Sequence, residues 1–151
     1  MIRVRLAGVL PMGNGFAFMH RTNVKHHEPS DYYTFPGGGL EENETYEEGC
    51  RREIKEEFGI DVTVGKLLYH IEKDQADEYF YLCNYESGYM GTGTGPEFSG
   101  NPKYADRGNY LPEIIAKENV KDILLLPPEV KEMLVEDIEK GVFDLYFREE
   151  K

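Results

Sequence analysis

The chain has 151 residues, of which 40% are hydrophobic and 13% aromatic. This composition predicts one globular domain over residues 1–151 and excludes a disordered chain. The net charge of −12 disfavours nonspecific binding to nucleic acid, whose phosphates are also negative. No apolar run approaches the length that crosses a membrane, and the N-terminus lacks a signal-peptide pattern, so we expect a cytoplasmic protein without a membrane partner.

The first third of the chain predicts short strands separated by turns. Residues 2–10 alternate apolar and charged side chains at their start, which is typical of a strand. Residues 11–15 (PMGNG) predict a turn, and residues 16–19 predict a return strand. A polar loop then leads to a short strand at residues 32–35, and the Pro-Gly-Gly-Gly run at residues 36–39 predicts another turn.

A helix is predicted from Thr45 onward. Thr45 and Glu48 have the T-x-x-E spacing of a capping box, and Gly59 suits a left-handed helix end. Apolar residues recur every fourth position on one side of this helix: Cys50, Ile54 and Phe58. Such a stripe allows the helix to dock on a core.

The second half predicts two β-rich runs, at residues 62–73 and 78–90, followed by a long glycine-rich loop at residues 91–108. A second helix is predicted within residues 126–141, with Pro128 in its first turn. A last strand is predicted at residues 142–147. Strands with one helix in the middle and one near the end indicate the α/β class with a mixed sheet.

The cysteines and histidines form no recognisable metal-binding motif in the sequence. Cys50 and Cys83 form no CxxC pair and have no zinc spacing, so they are expected to be reduced thiols that are partly buried. The four histidines likewise show no metal-ligand spacing in the sequence.

Three glutamates of the first helix share one face. Glu53, Glu56 and Glu57 are spaced i, i+3, i+4, and each like-charged pair costs about 0.2–0.5 kcal/mol. A hard divalent cation would reverse this repulsion, because carboxylate oxygens are the ligands that Mg²⁺ and Mn²⁺ prefer. Taken alone, the spacing is more typical of a solvated charged face. The preceding glycines, Gly37 and Gly38, favour a site, because glycine lets the backbone approach a ligand closely.

The same stretch resembles the Nudix box, G-x5-E-x7-R-E-U-x-E-E-x-G-U, where U is aliphatic. Every fixed position of that pattern is present: Gly38, Glu44, Arg52, Glu53, Ile54, Glu56, Glu57, Gly59 and Ile60. The resemblance to Nudix (MutT-like) hydrolases implies an α/β/α sandwich with a mixed β-sheet and a strand-loop-helix catalytic element.

Residue roles follow from this resemblance. It implies that Glu53, Glu56, Glu57 and the Gly38 carbonyl hold Mg²⁺ or Mn²⁺, with Glu53 and Glu57 also catalytic. Arg52 would orient the carboxylates, and Glu44 would support the loop and helix, with pairing to Arg52 as one means. Ile54 would be a core residue, and Gly37 and Gly59 would shape the backbone before and after the helix.

The implied reaction is hydrolysis of a nucleoside diphosphate linked to another group, namely a nucleotide, nucleotide sugar or dinucleotide. The general base in this family is a box glutamate or a glutamate on a distal loop, where Glu97 is the candidate. Lys103 or Arg107 on the same loop would meet a phosphate, and Tyr33 would stack on a base. The alternatives are a surface insertion for the loop and a sheet-packing role for Tyr33.

The substrate stays open at this point. Gln75 and Ala76 stand where a proline marks the ADP-ribose pyrophosphatases, and Tyr79 lies slightly late for the dinucleoside polyphosphate hydrolases. The alternative function is a Nudix fold without catalysis that senses a nucleotide or a partner. The resemblance also implies that a homodimer can form, although no sequence feature shows an interface.

Overall fold

The computed structural model describes residues 2–25, 27–91 and 108–147, and within them the chain forms nine strands and two α-helices. The strands are β1 (Arg3–Val9), β2 (Pro11–Met12), β3 (Gly15–Thr22), β4 (Tyr32–Thr34), β5 (Gly37–Gly39), β6 (Ile60–Lys73), β7 (Ala76–Gly88), β8 (Asn109–Ala116) and β9 (Leu125–Leu126). The helices are α1 (Tyr46–Phe58) and α2 (Pro128–Glu139), with 3-10 turns at Lys117–Asp122 and Asp144–Tyr146. No helix among these residues is long and apolar enough to cross a membrane.

The strands form two sheets, and both are mixed, which confirms the predicted sheet type. The first has the order β5-β1-β7-β6, in which β1 and β7 are parallel and the other pairs antiparallel. The second has the order β2-β3-β4-β9, with β8 also paired to β3 and with β4 and β9 parallel.

Strands β1 and β3 bury both of their faces, which produces the layered α/β/α arrangement. Leu6 of β1 packs with α1, whereas the next residue, Ala7, packs in the core that includes α2. Met19 and Phe18 of β3 divide in the same way. Because successive strand residues point to opposite faces, the two strands lie between the helices.

Helix α1 begins and ends as the sequence predicts. The Glu48 backbone N–H donates to Thr45 Oγ1 at 3.1 Å, and the Thr45 N–H donates to Glu48 Oε1 at 2.9 Å, which completes the capping box. Gly59 ends the helix with a φ of 77°. The predicted stripe is fully buried: Cys50, Ile54 and Phe58.

The two cysteines meet beneath α1. Cys50 of the helix and Cys83 of β7 are free thiols with their Sγ atoms 3.9 Å apart. Both are fully buried, more than the sequence indicated, so they act as small apolar core residues.

The predicted turn at residues 36–39 is wrong, because Gly37–Gly39 is a strand, β5, paired antiparallel with β1. A Cβ atom on Gly37 would lie 2.1 Å from the Leu6 carbonyl oxygen. The missing side chain lets the two backbones approach, so these glycines serve strand pairing rather than chain reversal.

The predicted strand at residues 142–147 is also wrong. Gly141, with a φ of 80°, turns the chain after α2, and Asp144–Tyr146 forms a 3-10 turn. The Tyr146 N–H donates to the Phe143 carbonyl at 2.9 Å, so the backbone bonds locally rather than to a neighbouring strand. Phe143 is buried, whereas Leu145 is 89% exposed.

Strand β8 has no counterpart in the sequence prediction. It contains Pro112, which has no N–H to donate and therefore weakens a strand pattern. Among the described strands, β8 pairs with β3 alone, so it lies at an edge where a proline is tolerated.

Candidate active site

The box glutamates lie where α1 crosses β5. The Gly37 N–H donates to Glu57 Oε1 at 2.9 Å, and Glu57 is only 9% exposed. A Cβ atom on Gly38 would lie 2.3 Å from Glu53 Oε2, so a side chain there would displace that carboxylate from its present position. The strand thus fixes Glu57 through a backbone hydrogen bond and leaves space for the carboxylate of Glu53.

Arg52 links the other acids of the box. Its guanidinium donates twice to Glu44, from Nε to Oε2 at 2.6 Å and from Nη2 to Oε1 at 3.0 Å, which confirms the predicted pairing. Nη1 donates to Glu53 Oε1 at 2.8 Å and to Glu56 Oε2 at 3.2 Å. Nη2 also donates to the Gly39 carbonyl at 3.0 Å. One side chain therefore ties the helix face to the strand.

This network stabilises the charged forms of Arg52 and Glu44. The hydrogen bond from Arg52 lowers the pKa of Glu44 below its ordinary value, against the opposing effect of burial. The hydrogen bond to Glu44 raises the pKa of Arg52 above its ordinary value, so the guanidinium stays charged. Glu44 stays ionised in return and holds the guanidinium in place.

The donors of the box fit a hard divalent cation. Glu53, Glu56 and Glu57 offer carboxylate oxygens, and the predicted fourth donor is the carbonyl of Gly38, a residue whose Cα lies close to Glu53. An all-oxygen set is the one that Mg²⁺ and Mn²⁺ prefer. Their roles as metal ligands stay predictions, but Arg52 and the Gly37 amide already position the carboxylates.

A cleft of about 210 Å³ lies beside these residues and has charged side chains of both signs. Glu53 and Glu57, which we call the acidic pair, line it from α1. Arg5 and Arg21, which we call the basic pair, line it from β1 and β3. Such a cleft can bind an anion and a cation together.

The basic pair is held by other side chains. The Arg21 guanidinium carbon lies 3.8 Å from the ring centroid of Tyr110, a cation–π contact. Arg5 Nε lies 3.6 Å from Glu78 Oε1. Both arginines therefore have restricted positions at the cleft.

A second cavity of about 240 Å³, lined by apolar residues and by the charged residues Arg5, Lys73 and Glu78, adjoins the cleft. The two share Arg5, Thr34 and Phe35 in their linings. Phe80 and Leu126 contribute further apolar surface to the second cavity. Together they form two adjoining compartments, of which the second combines apolar surface with a few charged groups, as ligand sites commonly do.

Sequence reasoning missed the basic pair and Tyr110. Arg5 and Arg21 are ordinary charged residues of strands, and Tyr110 belongs to the unpredicted β8. The signal available was strand alternation, which places Met19 and Arg21 on the same face of β3. The sequence does not show that this face meets α1.

Tyr33 is placed away from the described lining of the cleft. Its ring stacks on His20, with centroids 4.1 Å apart, and its hydroxyl donates to Glu113 Oε2 at 3.0 Å. Burial and the Glu113 hydrogen bond raise the pKa of Tyr33 to about 12. Its role in stacking on a substrate base stays a prediction.

The predicted loop residues Glu97, Lys103 and Arg107 lie outside the described residues. Their roles as general base and phosphate contacts therefore stay predictions.

The two mixed sheets between α1 and α2, together with the glutamates on α1, define a Nudix-type α/β protein. The sequence pattern of the NUDIX domain matches residues 2–107, and the chain belongs to the Nudix family. It is a hydrolase that acts on phosphoric anhydride bonds.

Relatives and similar folds agree with this assignment. The chain is 40% identical over 76 residues to an 8-oxo-dGTP diphosphatase of Proteus vulgaris. The aligned stretch covers 50% of this chain and 67% of the relative. A MutT structure, from work on Aliivibrio salmonicida and Vibrio cholerae, superposes with a TM-score of 0.66 at 18% identity, over 91% of this chain and 99% of the other. An ADP-ribose pyrophosphatase structure from Streptococcus suis superposes with a TM-score of 0.62 at 11% identity, over 93% of each chain. The two structures are similar to this chain in fold.

Proposed function

We propose that the chain hydrolyses a nucleoside diphosphate linked to another group, with Mg²⁺ or Mn²⁺ as cofactor. The observation that carries this proposal is the cleft in which the acidic pair and the basic pair meet. The acidic pair suits a cation, and the basic pair suits the phosphates of the substrate. Residues 1–151 would form one catalytic domain, and the homodimer implied by the family resemblance stays a prediction.

Glu53, Glu56, Glu57 and the Gly38 carbonyl would hold the metal. When bound, the metal neutralises phosphate charge and lowers the pKa of a bound water. Arg52 acts as a positioning residue, because it contacts Glu53 and Glu56 with one nitrogen while two others hold Glu44.

The substrate would span the two compartments. Arg21 and Arg5 would bind the diphosphate, since a guanidinium forms charge-assisted hydrogen bonds with phosphate oxygens. The nucleoside base would enter the adjoining second cavity on the side of Phe35 and Phe80. This arrangement keeps the charged end of the substrate at the box glutamates.

In the reaction, water attacks phosphorus, an O–P bond forms, and the anhydride O–P bond breaks. The leaving phosphate departs with the bonding electron pair, and a carboxylate accepts the proton from water. Glu53, Glu57 and Glu97 are the candidate acceptors. Glu53 and Glu57 line the cleft, which favours them among the described residues.

The first substrate to test is 8-oxo-dGTP, because the Proteus vulgaris relative is an 8-oxo-dGTP diphosphatase. ADP-ribose and a dinucleoside polyphosphate should be compared with it in one panel. Each has a phosphoric anhydride next to a nucleoside, so the panel keeps the bond type and varies the nucleoside and the leaving group.

The experiment compares wild type, Glu57→Gln and Glu47→Gln. Product release from the panel is measured with and without Mg²⁺. Glu47 lies on the same helix but is exposed, so its variant controls for loss of one charge. We expect turnover of at least one substrate by wild type and Glu47→Gln, and most of it lost in Glu57→Gln.

Two outcomes would contradict the proposal. Turnover by Glu57→Gln equal to wild type at limiting Mg²⁺ would remove Glu57 from the metal site. A nucleotide-induced rise in melting temperature with no turnover of any substrate would favour the sensing function.

A further inference from the structure

A second group of metal-type side chains lies on the β6–β7 hairpin. His70 and Glu72 are two residues apart on β6, so their side chains point to the same face. Asp77 of β7 lies directly opposite Glu72 in the strand register. The hairpin turn at Asp74 and Gln75 is short, which fixes the register of the three residues.

The ligand atoms of this group are already close together. One imidazole nitrogen and one oxygen from each carboxylate all lie within 4.8 Å of one another. His70 Nε2 is 4.0 Å from Asp77 Oδ1. Two ligands of one tetrahedral Zn²⁺ ion, each bound at about 2.0–2.2 Å, stand about 3.3–3.6 Å apart, so side-chain rotations that close about 1 Å would complete the set.

The imidazole is held in position by aromatic packing. The His70 ring stacks on Tyr79 with centroids 4.2 Å apart and an angle of 9° between the planes. Tyr79 in turn packs against Tyr46 at the start of α1, with centroids 5.0 Å apart. Because the ring is oriented before any ion arrives, less side-chain freedom is lost on binding.

The carboxylates of this group form no ion pair with a lysine or arginine of the described part of the chain. Within residues 2–25, 27–91 and 108–147, no lysine or arginine nitrogen lies within 4.0 Å of a carboxylate of Glu72 or Asp77. The box acids differ, since Arg52 pairs with Glu44, Glu53 and Glu56. Two such carboxylates beside an imidazole in a protein of net charge −12 favour a divalent cation.

We propose that His70, Glu72 and Asp77 form a divalent-cation site distinct from the Nudix box, selective for ions of the Zn²⁺ class. Imidazole nitrogen suits Zn²⁺, whereas Mg²⁺ prefers oxygen ligands alone. Three protein ligands leave a further position for water, and the side chains are exposed enough for entry. The bound ion cross-links β6 to β7. This site does not depend on the proposed function.

The test is zinc binding by a parent protein whose box cannot compete. Glu53→Gln, Glu56→Gln and Glu57→Gln together give this parent, and ZnCl₂ is titrated by calorimetry and by thermal shift. Two variants of the parent are compared, His70→Ala and the matched control His27→Ala, which removes an exposed histidine elsewhere. We expect saturable binding in the parent and control, and at least about tenfold weaker binding in His70→Ala, as loss of a ligand should exceed loss of a supporting contact.

The experiment is repeated in the wild-type protein, in case the triple-variant parent does not fold. Wild type and Asp77→Asn are titrated with ZnCl₂ in excess Mg²⁺, which occupies the box without competing well for an imidazole site. A zinc-induced rise in melting temperature should be smaller in Asp77→Asn. Absence of saturable zinc binding in both backgrounds, or equal affinity in His70→Ala and His27→Ala, overturns the proposal.

Discussion

The acidic pair and the basic pair line the same cleft but come from different parts of the chain. Glu53 and Glu57 lie one helical turn apart on α1. Arg5 and Arg21 lie on separate strands, which only the folded sheets bring to α1. Residue spacing therefore reveals the acidic pair, whereas only the fold reveals the basic pair.

The two pairs are also supported differently. The acidic pair is fixed by the Arg52 side chain and the Gly37 amide. The basic pair is held by the Tyr110 ring and the Glu78 carboxylate. If the first serves the chemical step and the second serves binding, substitutions should separate kcat from KM.

The largest effect is expected for Arg52→Lys. An ammonium cannot reproduce the forked donation to Glu44 while also contacting Glu53 and Glu56, so the carboxylates should lose their alignment. We expect kcat to fall about 10- to 100-fold, as for other groups that support a metal site, and more Mg²⁺ to be needed for half-maximal rate. Steady-state kinetics across a Mg²⁺ series measure both.

The matched control for this variant is Arg51→Lys, one residue earlier and exposed. It should behave as wild type. A normal kcat and a normal Mg²⁺ requirement in Arg52→Lys would show that the network does not position the site.

A smaller effect is expected for Arg21→Ala. Loss of a charge-assisted contact to phosphate should raise KM about tenfold, equivalent to about 1.4 kcal/mol, with kcat nearly unchanged. Arg21→Lys should lie between the two, because it keeps the charge but loses the stacking on Tyr110. A wild-type KM in Arg21→Ala, equal to that of the control Arg51→Ala, would show that Arg21 does not bind substrate.

The smallest effect concerns His20, the neighbour of Arg21 on the opposite face of β3. Burial lowers the pKa of His20, but hydrogen bonds to Asp31 and Glu113, at 2.7 and 2.8 Å, outweigh it and raise the pKa above its ordinary 6.5. The protonated ring therefore stabilises the folded state. This contribution is complete below pH 6.5 and is lost as pH rises through the raised pKa.

Urea unfolding at a series of pH values from below 6.5 upward tests the stabilising contribution of protonated His20. The free energy of unfolding should decline with rising pH more in wild type than in His20→Asn. Parallel pH profiles of the two proteins would show that the His20 contacts do not stabilise the fold.

Local patterns account for what the sequence predicted correctly. The capping box, the buried stripe and Gly59 all lie within α1 or at its ends, so their contacts follow from helical geometry alone. The pairing of Arg52 with Glu44 spans one loop and was also predicted. The α/β class followed from the order of strands and helices.

Long-range pairing accounts for what was missed. The strand at Gly37–Gly39 exists because β1 lies alongside it, and glycines alone predict a turn. Strand β8 exists because β3 accepts it, despite Pro112. His70 and Asp77 come together because of the register of the β6–β7 hairpin. Their separation along the sequence does not reveal that register.

The contact between Cys50 and Cys83 provides an internal reporter of how α1 separates from the sheet. The hydrogen bond with Cys50, together with burial, raises the pKa of the Cys83 thiol above its ordinary value. Since the thiolate is the form that alkylating reagents attack, neither accessibility nor ionisation favours modification in the folded protein. The rate at which iodoacetamide labels this protein under native conditions would therefore measure the free energy of opening around the catalytic helix, without any introduced probe.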